Sequence, residues 1–231
     1  MNRLLVAAVV LAGAASANGQ IVQWNFNTAT TPAGTTVPNI GTGTASLVGG
    51  TTATFATGNP LDVVTAPTVN SGWNVTTWAA QGTGSGTRGV QFATSTAGFE
   101  NIQVSWQHRH SNTSSRFVQF QYSTDGLSFT SAGLAGDGIF TATAGDTWFA
   151  RSVDLSGIAG VADNTSFAFR VVSIVDAASG NYLTSNPTSN YGTAGTNRFD
   201  LVTVTGTVVP APSAAAAMVL VGLAASRRRR A

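Results

Sequence analysis

From Ile102 to His110 the chain alternates without a break. Ile102, Val104 and Trp106 share one side, continued by His108 and His110, while Gln103, Ser105, Gln107 and Arg109 take the other. A period of two marks a strand with one buried face, because successive side chains leave a pleated backbone on opposite sides. The pattern recurs in residues 21–27, IVQWNFN, where Val22, Trp24 and Phe26 fall together. It recurs again with Val118, Phe120 and Tyr122 on a core face, and in residues 166–175, where Phe167, Phe169 and Val171 oppose Ala168, Arg170 and Val172. Helix-forming charge is nearly absent: there is no lysine, and Glu100 is the one glutamate. That composition favours strands and turns over amphipathic helices.

The other segments follow the same rule. Residues 28–57 are rich in Thr, Gly and Ala and predict long loops with one weak strand at 45–48. Residues 70–80 carry Trp73 and Trp78 in a polar setting, and a flexible Gly82-Thr83-Gly84-Ser85-Gly86 turn leads to a strand at 88–94. Ser123-Thr124-Asp125-Gly126 predicts a tight hairpin turn with a return strand starting at 127–130, since Asp-Gly tolerates positive φ. A strand at 148–155, a connection at 158–164 with one short helical turn, a polar loop at 177–196 and a last strand at 198–208 complete the body. Many strands, long polar loops and no helix predict an all-β antiparallel sandwich. We place this single domain at residues 18–209.

Both ends read as address labels. Residues 1–17 hold one charge, Arg3, an apolar stretch and an Ala15-Ser16-Ala17 cleavage signature, as in a secretory signal peptide. Residues 210–231 begin with Pro210, Ala211 and Pro212, continue through an apolar run and end on Arg227, Arg228, Arg229 and Arg230. Prolines spaced two apart end a strand, and clustered arginines stay on the cytoplasmic side of a membrane. The apolar run is shorter than the ~20 residues of a full span. This order resembles the PEP-CTERM sorting signal of bacterial envelope proteins, with Ala211 where that family has Glu. The resemblance implies delivery to the inner membrane, recognition by an exosortase and removal of the tail; an unprocessed C-terminal anchor is the alternative.

The body also resembles a known architecture. FENIQVSW (99–106), FQYSTDG (120–126), VDLS (153–156), FRVV (169–172) and RFDLVTVTG (198–206) are similar to the jelly-roll domains of bacterial surface proteins that carry sorting tails. That resemblance implies a jelly-roll-like sandwich, an architecture shared with carbohydrate-binding and lectin-like modules.

Setting the ends aside changes the charge balance. Of eleven arginines, Arg3 and the four of the tail leave six in the body against nine acids, so the domain is acidic. Nucleic acid is therefore not an expected partner, since it requires a basic patch on the folded domain. The chain has no cysteine, so a secreted body must rely on its own core.

The residue types bound the chemistry. His108 and His110 project from one strand face, but no Glu or His follows them, and zinc wants three or four ligands. We expect them at the strand end, partly solvated. Glycoside hydrolysis needs two carboxylates across a cleft, yet Asp125, Asp137 and Asp163 fall in turns. No catalytic residues are assigned and no enzyme activity is expected. Trp24 and Trp106 read as core; Trp73 and Trp78 are the expected ligand-facing aromatics. Gln103, Gln107, Gln119 and Gln121 would supply amides beside them if their faces adjoin. Asp200 shares a face with Arg198, which suggests a structural ion pair or a backbone clamp, or a Ca²⁺ ligand in company with a loop carboxylate. No other cofactor is indicated. The leading expectation is a non-catalytic envelope or extracellular-matrix protein. The alternatives are a carbohydrate-binding module in contact with extracellular polysaccharide and, third, a glycan-active hydrolase.

Intact mass of the protein recovered from its native envelope should show both ends lost, with a new N-terminus near Asn18 and a C-terminus among Pro210–Pro212. A species still carrying Arg227–Arg230 would mean an uncut anchor.

Overall fold

The structure, a computed structural model, describes residues 18–29 and 34–209. The signal peptide, Pro210–Ala211–Pro212 and Arg227–Arg230 lie outside the described residues. Eleven strands occur in the order β1 (Asn18–Trp24), β2 (Thr44–Val48), β3 (Thr52–Thr57), β4 (Ser71–Thr76), β5 (Gly89–Ala93), β6 (Phe99–His110), β7 (Phe117–Ser123), β8 (Ile139–Thr141), β9 (Thr147–Asp154), β10 (Ala168–Ser173) and β11 (Asn197–Val208). They form two antiparallel sheets. The first runs β3-β4-β11-β6-β9 with β1 also on β11, and the second runs β2-β5-β10-β7-β8. The all-β, two-sheet sandwich predicted from the alternation is present.

β11 is the organising strand of the first sheet. It pairs with β6 on one side along most of its twelve residues. On the other side it pairs first with β4, from Asn197 to Phe199, and then with β1, from Val202 to Thr207. The register slips between these two partners, at Asp200–Thr203, where Leu201 takes a positive φ of 48°. A bulge of this kind adds a residue to one strand and turns it locally.

Inward residues of both sheets meet in one core. Rings form a continuous path: Trp24 to Phe92 at 5.0 Å, Phe92 to Phe169 at 5.1 Å, Phe169 to Phe120 at 5.4 Å and Phe120 to Trp106 at 5.7 Å between centroids. The path leaves the first sheet at Trp24, crosses three strands of the second, and returns to the first at Trp106. Trp24, Phe120 and Phe169 are fully buried, and Phe92 and Trp106 almost so. Such offset ring pairs add to the ordinary gain from burying apolar surface.

Three expectations need correction. Residues 52–57 form β3, because edge pairing with β4 from Thr52↔Thr76 to Thr57↔Ser71 overrides their weak pattern. Residues 127–130 form no return strand. Only Thr130 bridges back to Tyr122, and a tight turn at Ala135–Gly138, left-handed at Gly136 and Asp137, intervenes before β8 supplies the neighbour of β7. Residues 158–164 make hydrogen-bonded turns instead of a helical turn.

Replacing Phe169 with Ala removes the middle of the ring path and should cost about 3–5 kcal/mol. Urea unfolding should show a lower midpoint with an unchanged slope.

Candidate functional site

The tryptophans expected to face a ligand are inside. Trp73 is 4% and Trp78 2% exposed. On β4 the pairing of Phe199 with Trp73 sets that ring inward, where it stacks on Phe26 at 5.7 Å and meets Phe92 edge-on at 6.0 Å. Trp78 lies beyond the strand, with its indole N–H donating to the Val75 carbonyl at 3.3 Å. The late loop covers this region: Tyr191 donates to the Ala79 carbonyl at 2.8 Å, Tyr182 to the Thr83 carbonyl at 2.9 Å, and the two rings stack at 4.7 Å. Polar neighbours in sequence did not signal exposure because the cover comes from a distant segment. Trp24 and Trp106 are core, as expected.

The four glutamines divide between the sheets. Gln103 and Gln107 lie on β6; Gln119 and Gln121 lie on β7 and adjoin, with the Gln121 amide donating to Gln119 Oε1 at 3.0 Å. Across the outer side of the second sheet, Ser46, Gln91, Arg170 and Gln121 fall in one transverse register through β2, β5, β10 and β7. Arg170 Nε donates to Gln91 Oε1 at 2.8 Å, and its guanidinium lies 3.6 Å from the centre of the Phe129 ring. Gln119 is anchored by donating to Ser131 Oγ at 3.1 Å and to the Asp137 carbonyl at 3.0 Å. Gln91, Gln119, Gln121, Phe129 and Arg170 are all half-buried. Burial draws the Arg170 pKa below its usual value, but a guanidinium stays charged. The next row along the sheet opens into a shallow depression lined by Thr42, Thr44, Ser95, Asp125, Thr165 and Ser166. Asp125 itself is committed to its turn. It accepts from the Leu127 and Ser128 backbone N–H groups at 2.8 and 2.7 Å, which hold its pKa far below the ordinary carboxylate value.

This row offers fixed amides, a guanidinium spread on an aromatic face, and nearby hydroxyls. These are the groups that recognise a neutral or weakly acidic polyol. Sequence reasoning had set Arg170 opposite the core positions of its strand without assigning it a role. Gln91 and Phe129 were missed, because only cross-strand register brings them beside it.

The histidines also depart from expectation. His108 and His110 are both fully buried, with ring centroids 4.0 Å apart. His108 stacks on Phe199 at 4.4 Å, and its Nε2 meets Asn197 Oδ1 at 3.1 Å. His110 Nδ1 meets the Ser115 carbonyl at 3.0 Å, and Phe149 stands edge-on to its ring at 5.9 Å. The pair is enclosed because the polar turn after β6 folds back over it: Ser111 and Ser114 bond to Thr196 and Ser185, which closes the end of the sandwich. Both imidazoles are thereby shut away from solvent. Their remaining ring nitrogens, His108 Nδ1 and His110 Nε2, have no partner.

Asp200 is fully buried, at the register slip. It makes no ion pair with Arg198, which donates to the Thr57 carbonyl at 2.7 Å and to Asn74 Oδ1 at 3.2 Å. The one ion pair among the described residues joins Arg109 and Asp146 at 2.8 Å. Burial raises the Asp200 pKa to about 7. No group of three or more His, Cys, Asp or Glu side chains gathers among the described residues.

No protein family matches the sequence, and no curated protein does. Among solved structures, the chain is similar to the N-terminal CBM22-1–CBM22-2 tandem domain of Paenibacillus barcinonensis Xyn10C. The TM-score is 0.46 at 13% identity, covering 87% of this chain and 48% of that one, so the chain spans about half its length. It is also similar to the K2 cleaved adhesin domain of Lys-gingipain, with a TM-score of 0.37, 14% identity and coverage of 83% and 100%. The K1 cleaved adhesin domain of Lys-gingipain from Porphyromonas gingivalis W83 gives 0.34 at 15% identity, covering 71% and 98%.

The histidine pair carries a pH signature. Desolvation, first of all, holds the His108 pKa well below 6.5 and that of His110 at about 3, and the Arg151 charge nearby lowers both further. An unfolded chain takes up these protons below pH ~6.5 while the fold does not. Stability from the pair is therefore complete above that pH and lost as pH falls below it, by up to about 1.4 kcal/mol per histidine per pH unit. Urea midpoints measured between pH 7.5 and 4.5, both ends of the ~6.5 titration, should fall on the acid side. His110→Phe should flatten that slope.

Proposed function

We propose that the chain is an exported, non-catalytic surface module with a jelly-roll-type body that binds carbohydrate. It reaches the cell envelope through its C-terminal signal with the help of an exosortase. The observation that carries the binding reading is the register-aligned row Gln91, Arg170 and Gln121, with Phe129 against the guanidinium. Planar amides and a guanidinium in fixed geometry pair with vicinal hydroxyls, and the Phe129 ring beneath the guanidinium holds it in place. Residues already tied to one another lose little freedom on binding, so the row is preorganised. The outer side of the first sheet supports residence in a hydrated matrix: Gln103, Ser105, Gln107 and Thr205 supply amides and hydroxyls there. Secretion, the absence of catalysis and the sorting partner rest on the sequence alone.

Affinity electrophoresis of the full chain in gels containing β-glucan, xylan, galactomannan or a uronan tests this. We expect retardation by at least one of them. The Arg170→Ala/Gln121→Ala double variant should weaken it at least about tenfold, which corresponds to about 1.4 kcal/mol, while still unfolding cooperatively at a somewhat lower midpoint. Free migration in every gel, or full retention by a folded double variant, would refute the reading.

A further inference from the structure

The connection between β3 and β4 closes over the point where β11 passes from β4 to β1. There it sets oxygen against oxygen. The two carboxylate oxygens of fully buried Asp200 accept from the Asn59 backbone N–H at 2.6 Å and the Leu201 backbone N–H at 2.7 Å. No cationic side chain pairs with it among the described residues. Asn70 brings the second oxygen. Its Nδ2 donates to the Asn59 carbonyl at 2.7 Å and to the Asp62 carbonyl at 2.8 Å. Those two acceptors fix which way the amide points, since the reverse orientation would face its oxygen to both carbonyls. Oδ1 is left on the other side, buried and without a donor.

Gly58 shows how closely the two oxygens converge. A Cβ there would collide with Asn70 Oδ1 and stand 2.6 Å from Asp200 Oδ2. Asp62 adds negative charge, near enough to act on Asp200 through space, and its own carboxylate accepts from Asn27 Nδ2. Two buried acceptors converging at Gly58 repel unless a cation or a shared proton lies between them.

We propose that Asp200 and Asn70, with Asp62 beside them, hold a hard divalent cation of the calcium class. Every donor is an oxygen, from carboxylate or amide, with loop carbonyls close by. Calcium accepts such mixed sets in flexible geometry and completes them with water. The cation clamps the β3–β4 loop onto β11 at the bulge and neutralises the charge buried there. The site goes beyond the carbohydrate reading and stands or falls independently of it.

Thermal unfolding of the full chain, purified in detergent and stripped with EGTA, decides the matter. Calcium at about 5 mM exceeds the ~10⁻⁴–10⁻³ M range of extracellular calcium sites. It should raise Tm by about 2–9 °C across that range. In Asp200→Asn the side-chain amide can donate to Asn70 Oδ1 only by giving up the Asn59 N–H contact, so the variant should fold with a lower Tm and lose the calcium response. Asp146→Asn, at the exposed ion pair, should keep it. Equal Tm in EGTA and calcium overturns the proposal and leaves a proton on Asp200 to satisfy Asn70. A folded Asp200→Asn that still responds overturns it as well. Should that variant fail to fold, the comparison of EGTA with calcium on the parent chain still decides.

Discussion

The antiparallel ladder along β11 is the interaction on which the rest depends. One long strand serves β6 on one flank and two successive partners on the other. An unbroken period of two could not do this, because the inward set must be re-phased when the partner changes. The bulge at Asp200–Leu201 makes the adjustment: Phe199 faces inward before it, and Val202 and Val204 after it. The irregularity leaves backbone groups and a carboxylate without ladder partners. The β3–β4 loop exists at that height to meet them, with Asn59 binding Asp200 through its backbone and Gln107 through its side chain at 3.0 Å.

The second constraint is the lack of any cross-link. Without cysteine, the sandwich is held by apolar burial, and the aromatic path from Trp24 to Trp106 joins the sheets at both ends. Polar residues still enter this core, and the enclosed histidines are the clearest case. A hydrophobic pair would pack there at lower desolvation cost. The chain instead ties one imidazole to Asn197 and the other to the Ser115 carbonyl, which fixes the end of β6 to β11 and to the turn that follows it.

How much of this was legible in the sequence follows from which forces are local. Alternation placed β1, β5, β6, β7, β9, β10 and β11 within a few residues, because a half-buried strand writes its own pattern. β3 was unreadable, since an edge strand of Thr and Ala gains its identity from its neighbour. The inward face of β6 was read correctly through His110, yet its burial was not, because the closing residues come from 185 and 196. Trp73 and Trp78 failed for the same reason. The Gln91–Arg170–Gln121 row could not be found from one chain segment at all: it is a property of register across three strands. Asp200 was singled out for sharing a face with Arg198, but its companions Asn70 and Gly58 are separated from it by more than half the domain.

The pairing of Asn18 with Thr207 brings the first and last strands to one pole of the body. A load applied at Val208 is thus carried along the axis of β11, which is flanked by β1 and β6. To extract that strand, the pull must shear both ladders together instead of opening one bond at a time. On the reading proposed above, a module held by its C-terminus and loaded through its second sheet would pass tension through β11, a strand paired on both flanks.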